Sequence, residues 1–231
     1  MTTEKRVSSC TVVKKHCECF ECLNEEQKAL VEEQHVLVEY KKGEVIARQG
    51  AFASHIILIM DGLAKVMYED NNENIVLRIA TPGSLIGLTS LSDDNKLFKY
   101  TVKAYVKTSV KLIDTNLFIK LIKENSLFGF AVIKILSEIS QQKNERFFGL
   151  IRRQSYGKLA DLLLCMSGNI FKDNKFDLPL SRKEIAELAG MSTESVIRTL
   201  KNFQDDKLIS IDGKTIEILD TEGLIKIFEL G

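Results

Sequence analysis

The chain has 231 residues, 45% hydrophobic and 28% charged, and its 32 Lys and Arg balance 32 Asp and Glu for a formal net charge of zero. That is enough chain for two domains with buried cores, at an ordinary globular composition. It excludes a global basic field, so any nucleic-acid footprint must be local. No apolar run approaches the ~20 residues that a membrane span needs. No secretory signal follows Met1-Thr2-Thr3-Glu4-Lys5-Arg6. A cytoplasmic protein with reduced thiols is expected.

Residues 1–24 form a cysteine-rich leader that holds Cys10, Cys17, Cys19 and Cys22, four of the five cysteines. In a reducing compartment such a cluster points to a metal more than to disulfides. Thiolates are soft ligands that select zinc, copper(I) or iron–sulfur clusters, and Cys19-Phe20-Glu21-Cys22 is a C-x-x-C clasp. A thiol redox switch and incidental thiols are the alternatives. His16 reads as a bystander, because four cysteines already complete a ligand set. The fifth, Cys165, lies in the apolar run Leu162–Met166 and reads as a buried core thiol.

The next segment, 25–125, reads as a β-barrel sensor domain. Asn24 caps a helix to Glu33; from Val36 to Ile113 short apolar strands alternate with turns at Gly43, Gly50, Gly62, Asn71-Asn72 and Pro82-Gly83. An enzyme is not expected. The chain has only His16, His35 and His55, with no pair at strand spacing, no activated nucleophile and no phosphate-type glycine loop. Asn116–Lys123 is a short helix, and a long one spans 126–153. Along it Val132, Leu136, Ile139, Lys143, Arg146 and Leu150 follow a 4-3-4-3-4 spacing, the seam of a coiled coil, so a homodimer is expected. Lys143 and Arg146 either repel across that seam or pair with Glu138 or Glu145. A second stripe, Phe128, Ile135 and Phe147, is expected to lie on the chain's own barrel.

Residues 154–231 read as the DNA-binding domain. Ser155 caps a helix from Tyr156 to Met166, which stops at Ser167-Gly168. Ser181 and Glu184 form a capping box, Gly190 ends that helix, and Ser192 caps the next, whose inner face is Val196, Thr199, Leu200 and Phe203. This is the helix-turn-helix pattern. Its outward residues are Thr193, Glu194, Ile197, Arg198 and Lys201, with Ser192 and Ser195 in the first turn. Glu194 and Arg198 are either a surface ion pair or a base-reading pair, Arg198 on a guanine edge and Glu194 on a cytosine amine. Leu208–Ile211, Asp212-Gly213 and Thr215–Ile218 follow as a hairpin, which makes the unit a winged helix. The fold class is α+β.

Lys42–Gly50, Ile57–Gly62, Thr81-Pro82-Gly83 with Ile86-Gly87, and Ser181–Leu200 together resemble the Crp/Fnr family of bacterial transcription regulators. The resemblance implies a double-stranded β-helix (jelly-roll) sensor, a dimerisation helix and a winged-helix reader that recruits or blocks RNA polymerase. It also implies base contacts from Glu194 and Arg198; Ile197 stands where FNR-type readers carry serine. Cyclic-nucleotide-binding members carry a glutamate and an Arg-Ser pair where this chain has Leu88 and Phe98-Lys99, so cAMP is not expected. The leader is similar to that of FNR-type oxygen sensors, which ligate a [4Fe-4S] cluster. With no cysteine between Cys22 and Cys165, all four ligands would come from the leader. The expectation is a dimeric regulator of double-stranded DNA switched by redox, oxygen or nitric oxide. The alternatives are a regulator with haem or a small effector in the barrel and zinc or nothing on the cysteines, and a signalling module without DNA.

Overall fold

The computed structural model describes residues 16–70, 73–91 and 96–231, which fall into two compact units dividing between Gln141 and Gln142. Cys10 lies outside the described residues, as does the side chain of Cys17.

The first unit opens with a 3-10 helix, His16–Cys22, and then α1, Glu25–Glu33. Asn24 and Gln27 form a reciprocal capping box that fixes where α1 begins. Two four-stranded antiparallel sheets follow. One runs in the order β1 (His35–Tyr40), β8 (Thr108–Asp114), β3 (His55–Asp61), β6 (Leu85–Ile86). The other runs β2 (Val45–Ala47), β7 (Thr101–Ala104), β4 (Ala64–Asp70), β5 (Glu73–Ala80). This is the jelly roll expected from the turn spacing.

The uninterrupted apolar run of β3 has a simple cause. Successive side chains point to opposite faces of a strand, and here both faces are covered. Ile57 and Ile59 join Val66, Val102 and Val110 in the interior of the roll. Ile56 and Leu58 join Ile113, Leu117, Phe118 and Leu121 in a second core outside it. The turn between β3 and β4 demands glycine at 62, where φ is +91° and a Cβ would sit 2.4 Å from the Lys107 carbonyl.

The second core is closed by α2, Thr115–Glu124, capped by Asp114, and by the start of α3, Ser126–Arg152. Phe128, Val132, Ile135 and Ile139 are buried in it, and Leu136 packs against it. Farther along, Arg146 donates to the Leu188 carbonyl, and Leu150 lies against Gly190. The expected dimer seam is therefore corrected: most of Val132, Leu136, Ile139, Lys143, Arg146 and Leu150 engages their own chain. The exposed stripe keeps the same rhythm one residue on, at Ile133, Ser137, Ser140, Asn144, Phe147 and Ile151. Ile133, Phe147 and Ile151 are 61%, 61% and 64% exposed, flanked by Phe130 and Phe148. Phe147, expected on the barrel, faces outward. A spacing of 3.5 residues sits so close to the helical 3.6 that neighbouring stripes satisfy it equally.

In the second unit α4 (Ser155–Cys165) starts after Gln154 and runs into a π-helical turn, Met166–Phe171. The Gln154 N–H donates to the Gly231 carbonyl at the end of α7, Thr221–Leu230. Arg153 pairs with the buried Asp161 at 3.1 Å and stacks over Phe228 at 4.0 Å, which ties α4 and α7 together. Neither α7 nor the strand β9, Lys175–Asp177, was expected from the sequence.

Candidate functional site

The reader is built from α5 (Arg182–Ala189) and α6 (Thr193–Asp205). Ser181 and Glu184 form the expected capping box. Gly190 has φ +60°, the left-handed conformation that favours glycine at a helix end, and a Cβ there would meet the end of the Leu150 side chain at 2.7 Å. Val196, Thr199, Leu200 and Phe203 are buried, with Phe203 in edge contact with Tyr156 at 5.6 Å. That burial sets the rotation of α6 and so decides what it presents.

Glu194, Ile197, Arg198 and Lys201 are exposed and Thr193 is half-buried. No ion pair among the described residues joins Glu194 to Arg198, so both reach solvent with their hydrogen-bonding capacity available. Ser192 accepts the Ser195 N–H at 3.1 Å and donates to its hydroxyl at 3.0 Å, so these two serines hold the helix start. The hairpin behind is β10 (Ile209–Asp212) with β11 (Thr215–Ile218), and β11 also pairs with β9. Asp212 pairs with Thr215, which makes Gly213-Lys214 the two-residue loop and puts the exposed Lys214 at the tip. Lys183 and Lys207 are also exposed in this unit, and sequence reasoning missed all three lysines. An isolated lysine carries no pattern.

The leader has a different character. Cys19 is 4% exposed within the outer core, and Cys22 packs against the same core. Phe20 packs against the rings of Phe118 on α2 and Phe128 on α3, at 6.2 and 5.7 Å, and those two rings are themselves 5.2 Å apart. Asn125, between those helices, donates to the Cys22 carbonyl at 3.0 Å and to Gln27 at 2.8 Å. Among the described residues no group of three His, Cys, Asp or Glu is assembled for a metal. The two described leader cysteines thus both pack at the outer core, Cys19 within it and Cys22 at its edge. The rest of the expected set, Cys10 and the Cys17 sulfur, lies outside the described residues.

In the roll, Leu88 is buried in the outer core and Phe98 in the inner one, while Lys99 is exposed. These side chains offer neither a carboxylate for ribose hydroxyls nor a guanidinium for a cyclic phosphate. No helix among the described residues is long and apolar enough to cross a membrane.

Known proteins share this layout. A family model described as cyclic nucleotide-binding domain matches residues 37–125, and one described as Crp-like helix-turn-helix domain matches 157–227. The transcriptional activator protein FnrA of Stutzerimonas stutzeri is 28% identical over 189 residues, 80% of this chain and 77% of its own. The cAMP-activated global transcriptional regulator CRP of Salmonella typhimurium is 25% identical over 187 residues, 79% of this chain and 89% of its own. In fold, the chain is similar to FixK2 of Bradyrhizobium japonicum, with a TM-score of 0.76 at 17% identity, covering 84% of this chain and 96% of that one. With a jelly roll, a long helix and a winged helix in this order, the chain belongs to the Crp/Fnr family of transcription regulators, which are not enzymes.

Proposed function

We propose that this regulator reads a pseudo-palindromic operator as a homodimer, with Arg198 and Glu194 contacting base edges. The carrying observation is that α6 exposes both side chains one turn apart with no ion pair between them, while its opposite face is buried. An arginine free of a carboxylate can donate two parallel hydrogen bonds to a guanine edge. Ile197, 53% exposed beside Arg198, supplies an apolar contact such as a thymine methyl would accept. Thr193 and Lys201 flank this pair, and Ser192 and Ser195 offer hydroxyls at the helix start. Lys183, Lys207 and Lys214 add local positive charge toward the phosphates in a chain with no net charge. The dimer forms through the exposed stripe of α3, and RNA polymerase is the downstream partner in the cytoplasm.

Equilibrium binding of wild type and Arg198→Ala to duplexes carrying single base-pair changes tests the reading. A loss confined to one symmetric position per half-site supports it. Equal profiles for the two proteins contradict it.

The signal enters through the leader. Cys10, Cys17, Cys19 and Cys22 are the residues that would hold a [4Fe-4S] cluster, which would supply a redox-, oxygen- or nitric oxide-sensitive group there. The chain's own part is mechanical. Phe20 is held by Phe118 and Phe128, and Asn125 grips the Cys22 carbonyl, so a shift of the leader acts on the first turn of α3. That helix continues past Gln141 toward the reader. Coupling of about 1–3 kcal/mol along it is enough to change operator occupancy. Protein purified without oxygen should carry iron and acid-labile sulfide with a broad band near ~400 nm that air bleaches. A colourless protein after reconstitution, carrying zinc or no metal, contradicts the cluster and leaves the DNA reading standing.

A further inference from the structure

A half-enclosed cavity of about 180 Å3 lies outside the roll, between the outer face of one sheet and the leader. Its floor is sheet. Lys111 and Ile113 are two apart on β8 and so point to one face, and Leu58 on β3 is the register partner of Lys111. Its cover is helical. Lys28, Val31 and Glu32 hold the i, i+3 and i+4 positions that share one face of α1. Phe20 and Leu23 close it from the leader. Leu23, Val31, Leu58 and Ile113 belong to the outer core, and Phe20 packs against it, so most of the wall is apolar.

The charged lining is two ammoniums against one carboxylate. The Lys111 side chain is only 13% exposed, so its stem lies along the apolar floor while its Nζ donates to Glu32 at 2.6 Å. An ammonium has three donors, and Glu32 engages one of them. Lys28 Nζ holds Glu25 at 2.9 Å in a pair exposed on both sides, which costs little to exchange. Tethering α1 to the sheet requires the Lys111–Glu32 pair, but neither the cavity nor a second lysine at it. Protein interiors leave few voids larger than a water molecule, whereas an apolar cavity of ~150 Å3 admits benzene. The walls thus fit a ring-sized apolar body, and their excess of positive charge selects an anion.

We propose that this pocket binds a small monocarboxylate with an aromatic-sized apolar body. Its carboxylate oxygens accept from Lys111 Nζ and Lys28 Nζ, and the body packs on Phe20, Val31, Leu58 and Ile113. Glu32, 62% exposed, keeps its bond to Lys111 and is screened from the second carboxylate by water. The interior of the roll is not involved: Leu58 and Ile113 face the outer core, whereas Ile57 and Ile59 face the inner one. Because Phe20 and Leu23 form one wall, an occupant packs on the segment that carries Cys19 and Cys22 and stiffens it. The site depends on neither the cluster nor the operator reading.

The test uses the full chain purified without oxygen, titrated by calorimetry with benzoate, benzyl alcohol and benzylamine. Benzoate should saturate one site per chain, with benzyl alcohol about tenfold weaker or more and benzylamine weaker still. Hydrogen exchange at residues 19–23 should slow when benzoate is bound. Lys111→Met keeps the apolar stem and should lose the preference for benzoate over the alcohol. Val31→Phe fills the cavity and should abolish binding of both. If Val31→Phe fails to fold, the selectivity of Lys111→Met decides alone. No saturation by about 10 mM benzoate, equal affinity for the alcohol, or benzoate binding that Lys111→Met leaves unchanged would overturn the proposal.

Discussion

Arg198 and Arg78 sit in different units and use the same guanidinium in opposite ways. Arg198 stands on an exposed helical face, where holding a charge costs little. Arg78 is enclosed in a β-roll, where its charge is costly unless something pairs with it. The reader is thus a finished surface whose partner is external and large. Arg78 instead meets its own chain, where its Nη2 donates to the Leu85 carbonyl at 3.2 Å.

The largest effect should come from the core that orients Arg198. Phe203 is fully buried, so Phe203→Ala should cost about 3–5 kcal/mol and abolish operator binding. Denaturation followed by circular dichroism should show the reader melting first, with the roll's transition unchanged. Next is the outward stripe of α3. Phe147→Glu should weaken self-association by about 2 kcal/mol or more in sedimentation velocity, with both units still folded. Arg198→Ala should lose about 1–3 kcal/mol of operator affinity at unchanged stability, read by fluorescence anisotropy.

Ser181→Ala removes one half of the capping box and should lower the reader's stability by about 1 kcal/mol in urea titrations. The smallest effect lies on the outside of the roll. The Glu32 carboxyl is held below its ordinary pKa chiefly by the hydrogen bond from Lys111, against some desolvation, with the charges of Lys111 and His35 helping. Its folded pKa is the lower one, so this stabilisation is present above the unfolded pKa and is lost as pH falls through the folded value. The carboxylate is 62% exposed, which limits the pair to about 0.5 kcal/mol. Lys111→Met should return Glu32 to the ordinary range in an NMR titration.

What was legible in the sequence follows the range of the interactions involved. Ser181 with Glu184, Gly190, and Val196 facing Leu200 are signals within one or two helical turns, and the reader was read from them nearly residue by residue. The jelly roll was legible from turn spacing. The stripe of α3 that stays exposed lies one residue beyond the expected one, because a 4-3 rhythm does not say which of two adjacent stripes meets the chain's own core. Phe20 was invisible as an anchor, since its partners Phe118 and Phe128 are about a hundred residues away. Arg78 was simply one residue of the strand Ile75–Ile79. Only the closure of two sheets around it makes it unusual, and closure is not a local property.

Enrichment of binding sites from a random pool of duplexes tests the central claim most directly. The account predicts a pseudo-palindrome whose half-sites are separated by about one helical turn, ~10–10.5 base pairs, with preference at one symmetric position lost in Arg198→Ala. Enrichment of a single asymmetric half-site, or of no sequence at all, would contradict a dimeric reader built on α6.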